Sequence, residues 1–297
     1  MGLMSKGRPV VTLLALPLGN PEDLSLRGQR ALSDADRIFC EDTRKLHQLL
    51  QSLGIVLREG CRVTSLPGDE EWNFNWKYLE DEASRMKSAY RVLLVSDAGT
   101  PGLNDPGRAL AEHARAQGWD LKALPGPSAP ILALQWTGGF GLPFTFWGFA
   151  PKPRGKAFRD FVGALRAAKT LAFFETRHQI VETLEALVEL GLGETRLHLC
   201  REMTKTHEEL WTGSVAEILE QVCNKLEKDD AIGELTLLLE GEGRPSDAPR
   251  SEDPLLLARR ILEVKTLPPK AASKLLAELS GLDKGEAYRL LVESKDS

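Results

Sequence analysis

The amino-acid sequence predicts an α/β fold, on the strength of two observations. Short segments rich in β-branched and apolar residues alternate with longer segments of helical periodicity, which is the pattern of an α/β protein. The chain of 297 residues is also long enough for two compact domains, each with its own buried core. We therefore expect two α/β domains and a small helical module at the carboxyl terminus.

The expected strands are the short apolar runs of the chain. They are residues 10–16, 37–40, 91–95, 121–124, 144–149, 170–174, 196–201 and 235–239. Residues 92–95 and 235–239 are apolar almost without interruption, which is typical of strands that are buried on both faces of a sheet.

Segments of helix-compatible composition fill most of the gaps between these strands. They are residues 70–89, 105–117, 128–137, 178–190 and 214–228. Ser128 and Ser214 are suited to cap the helices that follow them, because a serine hydroxyl accepts hydrogen bonds from unpaired backbone NH groups. Near the carboxyl terminus, apolar residues at three- and four-residue spacing predict helices at residues 255–264, 269–279 and 284–292, with Gly281 as a C-cap.

Two breaks divide the chain. Pro125, Gly126 and Pro127 cannot continue either neighbouring element. Residues 241–249 combine glycine, proline and charge, as a solvated linker does. The breaks predict an N-terminal α/β domain at residues 1–124, a second α/β domain at residues 125–243 and a helical module at residues 254–297.

Composition narrows the class of protein. The four cysteines are scattered and form no C-x-x-C pair, so that neither a disulfide framework nor a zinc site is expected. The first ten residues lack the apolar core and cleavage site of a signal peptide, and no apolar run approaches the roughly 20 residues of a membrane helix. We expect a cytoplasmic protein that does not span a membrane and binds no metal.

Charge is distributed unevenly. The formal net charge is −5, yet residues 151–177 carry seven Lys or Arg against two Asp or Glu. Residues 254–297 carry eight against six. Local patches matter more than the total for binding a polyanion, and these two stretches are where we expect one to bind.

One polar turn follows the most strongly apolar strand of the first half. Residues 96–107 read S-D-A-G-T-P-G-L-N-D-P-G, and within them Asp97, Gly99, Thr100 and Pro101 combine charge, flexible backbone, a hydroxyl and a stiffening ring. A purely structural loop rarely concentrates so many special residues, whereas loops held by a rigid scaffold commonly carry function. The turn is expected to bind a polar small molecule.

Four other segments follow strands and have competing interpretations. Residues 17–21 (P-L-G-N-P) suit a ligand at a strand end, or form an ordinary turn. Residues 124–129 offer backbone NH groups and a hydroxyl at a helix start, or only connect domains. Residues 41–44 (E-D-T-R) are expected to do one of two things. Either they bind substrate or accept a proton, or they only place acidic residues at a helix N-terminus. Residues 201–209 form a site at a strand end, or a solvated charge run.

Other chemistries find less support. The paired glycines at residues 191/193 and 241/243 do not open a new helix, so that a nicotinamide-binding Rossmann unit is disfavoured. The five histidines show neither a Ser/His/Asp order nor metal-ligand spacing. Hydrolytic and metal-dependent mechanisms are therefore not expected.

Taken in order, these motifs resemble those of a known family. The matching blocks are P-L-G-N-x-x-D at 17–23, E-D-T-R at 41–44, residues 96–107, residues 124–129, G-F-A-P-K at 148–152, F-F-E at 173–175, R-E-M-T-K at 201–205 and G-E at 233–234. The chain thus resembles the bacterial 16S ribosomal RNA methyltransferase I family of tetrapyrrole-methylase-like, class III methyltransferases. Residues 271–289 also resemble the family's small C-terminal helical module.

The resemblance implies a fold, a cofactor and a reaction. It implies two α/β domains with S-adenosylmethionine in the cleft between them, a homodimer, and 2′-O-methylation of a cytidine ribose in 16S rRNA. Together with the strand-end motifs, it assigns cofactor binding to Pro17, Gly19, Asp97, Gly99, Thr100, Pro101, Pro125, Ser128, Ala129, Phe174, Glu202, Met203, Gly233 and Glu234. The sequence departs from the family at residues 64–76, which puts the identity of the RNA target in question.

The remaining roles concern the acceptor. A ribose hydroxyl is a weak nucleophile, so a positioned base or nearby positive charge should help. Asp42, with Glu41 as second choice, is the expected base, while Arg44 and Lys205 are expected to stabilise charge and position phosphate. RNA binding is assigned to the following basic residues: Lys152, Arg154 and Lys156. The following aromatic residues either stack on unpaired bases or pack in the core: Trp72, Phe74 and Trp76.

Two other classes remain open at this point. A C-methyltransferase of a tetrapyrrole or corrinoid would use the same donor cleft but would need neither the basic stretch nor the helical tail. A non-catalytic RNA-binding or ribosome assembly protein would keep the basic patches without a donor site.

Overall fold

The computed structural model describes residues 8–66, 74–86, 88–138, 141–153, 155–227, 233–241, 258, 261–262, 267–280 and 284–294. Its two five-stranded sheets confirm the α/β class. No helix in these ranges is both long and apolar enough to cross a membrane. The first sheet uses strands up to Leu124 and the second begins at Phe144. The exact domain boundaries predicted from the proline and linker segments remain predictions.

The first sheet is entirely parallel, in the order β3-β2-β4-β1-β5. Its strands are β1 (Val10–Leu14), β2 (Arg37–Cys40), β3 (Arg62–Ser65), β4 (Arg91–Val95) and β5 (Asp120–Leu124). Its helices are α1 (Leu26–Asp34), α2 (Thr43–Ser52), α3 (Lys77–Arg85) and α4 (Arg108–Ala116). Helices α1 and α2 pack into one core cluster and α3 and α4 into another, as expected when both faces of a parallel sheet are covered.

Parallel strands bring all their carboxyl ends to the same edge of a sheet. The segments that follow β1, β2, β4 and β5 therefore meet there, and these are four of the polar segments that the sequence singled out. Helix α4 begins at Arg108 rather than at residue 105, because Pro106 and the positive φ of 148° at Gly107 belong to the preceding turn.

The second sheet is mixed, in the order β6-β7-β10-β8-β9. Its strands are β6 (Phe144–Phe149), β7 (Thr170–Glu175), β8 (Arg196–Arg201), β9 (Glu209–Ser214) and β10 (Leu235–Glu240). The β6–β7 pair is parallel and the other three pairs are antiparallel. The carboxyl ends of β6, β7 and β8 therefore share an edge with the amino end of β10.

Helices cover both faces of the second sheet. They are α5 (Ala129–Trp136), α6 (Lys156–Ala167), α7 (Ile180–Leu187) and α8 (Val215–Glu227). Helices α6 to α8 form the main core on one face, and α5 packs through Ala133 on the other. Ser214 caps α8 in a capping box: its Oγ accepts from Glu217 N at 3.2 Å, and the Glu217 carboxylate accepts from Ser214 N at 2.8 Å.

The carboxyl-terminal module contains α9 (Pro269–Ser280) and α10 (Lys284–Glu293). Its described apolar residues form a cluster of their own, which includes Ala258, Leu276 and Leu291. Most of the helix expected at residues 255–264, and the expected cap Gly281, lie outside the described residues.

Candidate active site

A cavity of about 390 Å³ lies at the edges of the two sheets described above. This volume lies within the usual range of small-molecule sites, roughly 300–1,000 Å³. The first domain contributes Leu18 and residues 98–100 and 103–105, and the α5 start contributes residues 128–130. The second domain contributes Phe149, residues 174–177 and residues 233–236.

The turn after β4 forms the first wall. The backbone of Gly99 exchanges two hydrogen bonds with Leu16, at 2.9 and 3.0 Å, which tie this turn to the segment after β1. Gly99 has a φ of 72°, and a Cβ there would lie 3.1 Å from Leu18 Cδ2. Thr100 Oγ1 donates to the carbonyl of Pro127 at 2.9 Å. Two other chain segments, one after β1 and one after β5, therefore hold this turn beside the cavity.

Asp105, at the end of the same turn, is a carboxyl group in the cavity wall. Burial raises its pKa to about 6, with further repulsion from Glu41 and Asp97, although the Ser96 hydroxyl favours the ionised form. The carboxyl group therefore changes between its protonated and ionised forms near pH 6. The sequence interpretation included this residue in the 96–107 motif but gave it no role of its own.

Asp97 ties two strand ends together. Its carboxylate accepts from Asp42 N at 2.8 Å and pairs with Lys45 Nζ at 2.8 Å. Lys45 lies on α2, directly after β2. Asp97 itself does not line the cavity, so that its position suits a residue that fixes the wall rather than a direct ligand.

Asp42 and Glu41 differ in their readiness to accept a proton. Asp42 caps α2 by accepting from Arg44 N at 2.8 Å, and the Arg44 guanidinium forms a second contact with it at 2.7 Å. These bonds lower the pKa of Asp42 to about 2. Burial and the nearby Asp97 raise the pKa of Glu41. Asp42 is therefore a weak proton acceptor at neutral pH. The roles of Asp42 and Glu41 as the base remain predictions.

A buried carboxyl group organises the wall that β7 provides. Glu175 is 4% exposed, and its oxygens accept from Thr176 N and Thr183 Oγ1, both at 2.7 Å. Burial raises its pKa. These bonds fix the turn that brings Thr176 and Arg177 into the cavity wall.

The turn after β8 joins the two domains. Glu202 and Thr204 adopt positive φ values of 48° and 63°, which non-glycine residues seldom do and which are concentrated at functional sites. Thr204 Oγ1 accepts from Asn20 N of the first domain at 3.2 Å. A Cβ on Gly19 would lie 2.2 Å from Lys205 Cγ, so that only a glycine fits beneath that side chain without a shift.

Lys205 holds two carboxylates at this junction. Its Nζ lies 3.2 Å from Glu202 and 3.0 Å from Glu234, and Glu202 also accepts from Glu234 N at 2.7 Å. Gly233, with a φ of 74°, lies so close to Glu202 that a Cβ would be 2.3 Å from Glu202 Oε1. The lysine therefore fixes the cavity wall that precedes β10.

The structure places half of the predicted cofactor residues in the cavity wall. Those that line the cavity are Gly99, Thr100, Ser128, Ala129, Phe174, Gly233 and Glu234. Those that do not are Pro17, Gly19, Asp97, Pro101, Pro125, Glu202 and Met203. Met203 is instead buried in the cluster beneath α5. Ser128 is at the start of α5 as predicted, but its hydroxyl makes no capping hydrogen bond.

The residues assigned to RNA lie apart from the cavity lining. Lys152 and Lys156 are exposed, near the start of α6, and Arg154 lies outside the described residues. In the 64–76 segment, Phe74 and Trp76 pack against Phe39, with ring centroids 5.4 and 5.8 Å apart, so that packing is the role that the structure supports for these two. Trp72 lies outside the described residues.

Several wall residues were given no role of their own in the sequence analysis, although some lie within the motifs quoted there. They include Asp105, Phe149, Glu175, Thr176 and Arg177. Ligands of open α/β sheets bind beyond the carboxyl ends of the strands, and we call this the strand-end rule. Applied to β7, it would have found the last three residues, because they end that strand or follow it directly. Phe149 similarly ends β6.

Comparison with known proteins shows to which family the chain belongs. A family model described as tetrapyrrole (corrin/porphyrin) methylases matches residues 10–219. The chain belongs to the tetrapyrrole methylase family. The methyltransferase activity and the use of S-adenosylmethionine that the sequence predicted are thereby confirmed.

Within the tetrapyrrole methylases, similar proteins carry the name ribosomal RNA small subunit methyltransferase I. One from Mesorhizobium japonicum is 34% identical over 97% of this chain and 93% of its own length. One from Escherichia coli O157:H7 is 36% identical over 95% of this chain and 94% of its own length. The predicted resemblance is thus confirmed. A solved cobalt precorrin-4 methyltransferase, at 14% identity, superimposes with a TM-score of 0.57 over 78% of this chain and 94% of that one, and supports the fold.

The cavity fits the methyl donor that tetrapyrrole methylases use. Leu18, Pro130 and Leu235 give the cavity apolar surface, against which an adenosine moiety would pack. The carboxyl groups of Asp105 and Glu234 suit the cationic ammonium and sulfonium groups. Gly99 and Gly233 keep two stretches of wall free of side chains, which allows the backbone to approach a ligand closely.

Proposed function

We propose that the chain methylates the 2′-hydroxyl of a cytidine ribose in 16S ribosomal RNA. One observation carries the choice of substrate: relatives named ribosomal RNA small subunit methyltransferase I are similar over 95–97% of the chain. The similarity to the solved cobalt precorrin-4 methyltransferase, at 14% identity, concerns the fold alone.

The cavity residues would bind and orient the two reactants. When bound, S-adenosylmethionine supplies an electrophilic methyl group on a sulfonium. Much of the rate can then come from holding the acceptor oxygen in line with that methyl group. The glycine-walled turns around Gly99 and Gly233 would hold the donor, and the junction formed by Lys205 and Gly19 would fix the distance between the two domains.

The RNA would contact basic surface beside the cavity. Lys152 and Lys156 are exposed and follow the wall residue Phe149 in the chain, and they belong to the stretch 151–177 with its surplus of positive charge. Arg177 reaches the cavity wall itself. Such lysines and arginines bind phosphates without reading sequence. The choice of nucleotide would then come from the shape of the cavity entrance.

We also propose that the protein is a cytoplasmic homodimer. Helix α5 has no charged residue, and it exposes Ile131 and Trp136 while Ala133 faces the sheet. A helix that is apolar on all sides is generally buried on more than one side, and two-fold dimers are the commonest oligomers. The cytoplasmic location follows from the proposed substrate.

Methyl transfer to ribosomal particles tests the function. Small subunits from a strain that lacks this gene should accept radiolabelled methyl from S-adenosylmethionine, and mapping should place the label on the 2′-oxygen of a cytidine. Subunits from the parent strain, already modified, should accept none. Incorporation into a porphyrinoid but not RNA would establish a tetrapyrrole methyltransferase instead. RNA binding without donor binding in calorimetry would establish an assembly protein.

A further inference from the structure

An irregularity in strand β6 directs the side chain of Phe149. The pairing of β6 with β7 is regular as far as Phe146 and resumes at Phe149, which lies opposite Phe174. Between these points, residues 147–148 of β6 oppose a single residue of β7. The extra residue forms a β-bulge, and bulges are frequent next to active sites, where they change the direction of a side chain.

The bulge places Phe149 on the opposite face of the sheet. Side chains alternate between the two faces of a strand, so that one extra residue reverses the face of those that follow. Trp147 packs into the core that α6 to α8 form, and Phe149, two residues later, would face the same core in a regular strand. Instead Phe149 lies on the side of Phe146. Both rings contact the ring of Phe174, with centroid distances of 5.4 and 5.0 Å.

Phe149 lies at the entrance of the cavity. It lines the cavity and is 53% exposed, and so does Leu103 of the first domain, which is 50% exposed. Leu235 also lines the cavity but is buried, so it lies deeper. A Cβ on Gly148 would lie 2.9 Å from Asn104 Oδ1, so that the chain neighbours of Phe149 and Leu103 are in contact. The two domains thus bring two exposed apolar side chains to one entrance.

The charges of the cavity wall suit two different reactants. Three of the described wall residues are acidic: Asp105, Glu175 and Glu234. Arg177 is the only basic residue of the described wall; it is exposed and forms no ion pair with another described residue. The sulfonium of S-adenosylmethionine is a cation and is attracted to carboxylates, whereas an arginine attracts the phosphates that flank a nucleotide in RNA.

Phe149 and Arg177 lie at the carboxyl ends of paired strands. Phe149 is opposite Phe174, and Arg177 follows Phe174 by three residues. The ring of Phe174 meets that of Phe149 at an interplanar angle of 63°, an edge-to-face contact that supports the exposed ring. One side of the entrance therefore combines a supported aromatic ring with a guanidinium group.

On the basis of the proposed ribose methylation, we propose that Phe149 stacks on the base of the nucleotide whose ribose is methylated. Unpaired bases of RNA are recognised by stacking on aromatic side chains. A ribose connects its base to its phosphates. With the base on Phe149 and a phosphate at Arg177, the ribose lies between them, at the entrance of the cavity that binds the methyl donor.

Single-turnover methylation of unmodified small subunits, at saturating donor, tests the stacking. Phe149→Ala should raise the subunit concentration for half-maximal rate by about 5- to 150-fold, the usual effect of removing a stacking ring. Phe149→Leu keeps apolar bulk without a ring and should raise it by at least about fivefold, whereas Phe149→Trp should stay within about threefold of the wild type. The control Leu190→Ala removes a side chain that is 49% exposed and outside the cavity wall, and should match the wild type.

Calorimetry with S-adenosylmethionine alone separates this role from donor binding. Each variant should bind the donor within about threefold of the wild type, a difference below about 0.7 kcal/mol. A Phe149→Leu variant that matches the wild type in methylation would overturn the stacking proposal, and so would a donor affinity that falls as far as the subunit affinity. A wild-type enzyme that transfers no methyl to RNA would overturn the proposed function instead.

Removing the base gives a test of the contact itself. Small subunits reconstituted with an abasic ribose at the mapped position should require a higher concentration for half-maximal rate with the wild type, as Phe149→Ala does with intact subunits. Two groups that contact each other are not additive in a double-mutant cycle. Abasic subunits should therefore cause little further loss in Phe149→Ala. Independent losses that multiply would show that Phe149 does not act on the base, and would contradict the proposal.

Discussion

At the residue scale, the cavity depends on a lysine that reaches from one domain to the other. Lys205 lies against Gly19 of the first domain and pairs with Glu202 and Glu234 of the second. Burial alone would raise the pKa of Glu202, but hydrogen bonds from Glu234 N and Lys205 lower it overall. The charge that Lys205 carries is therefore part of what shapes the cavity wall, in addition to any role toward phosphate.

Replacing this lysine tests its part in donor binding. Lys205→Met keeps the aliphatic contact with Gly19 but removes the ion pairs with Glu202 and Glu234. Loss of a charged hydrogen bond costs about 1.5–3 kcal/mol, so the Kd for S-adenosylmethionine should rise by at least about tenfold in calorimetry. The control is Lys122→Met, on an exposed position of β5. Equal affinities for both variants would show that the junction does not shape the donor site.

A buried histidine predicts how stability depends on pH. His198 is 5% exposed in β8, with Nδ1 2.8 Å from Thr212 Oγ1 of β9. Burial, helped by Arg196, lowers its pKa from 6.5 to about 4. Between these values the unfolded chain binds a proton that the folded chain does not. This histidine therefore makes the free energy of unfolding fall as the pH drops from 6.5 to about 4, by up to about 3 kcal/mol.

The variant His198→Gln should remove this part of the pH dependence. Urea unfolding at several pH values between 4 and 7 would show a shallower dependence for the variant than for the wild type. The control His47→Gln changes an exposed histidine and should follow the wild-type curve. Parallel curves for the wild type and His198→Gln would contradict the assignment.

At the scale of the elements, the eight strands predicted from apolar runs are all present, within about two residues at either end. The two strands that the sequence did not indicate are β3 and β9, and both lie at the edge of a sheet. An edge strand is covered on fewer sides, so its sequence needs no apolar run: Arg62 and Ser65 of β3 are exposed. The charged segment 201–209 likewise ends where the edge strand β9 begins.

Helix α6 offers a test of stability that is independent of the active site. Gly163 lies in its interior, has an ordinary helical φ, and a Cβ there would meet no atom within 4 Å. Gly163→Ala should therefore raise the free energy of unfolding by about 0.5–1 kcal/mol in urea titrations. Gly118 also has open space around it, but its φ is +65°. Gly118→Ala should lower the free energy of unfolding, and a gain from both variants would refute this reasoning.

At the scale of the whole molecule, the candidate site shows where prediction from sequence ends. The strand-end rule and the family resemblance located Gly99, Thr100 and Phe174 in the cavity wall. The raised pKa of Asp105 was not accessible in that way. Its pKa depends first on burial and then on Glu41 and Asp97, which come from the ends of two different strands and meet it only once the sheet has formed.

The assembly of two chains is the property that the fold leaves to be tested. If α5 forms the dimer interface, Ile131→Asp should place a charge in it, since Ile131 is 52% exposed in the single chain and burying an unpaired charge is costly. Light scattering should then give twice the 32.8 kDa chain mass for the wild type and the single mass for the variant. Val56→Asp, at an apolar position that is 81% exposed on the first domain, should stay dimeric. A dimeric Ile131→Asp would place the interface elsewhere.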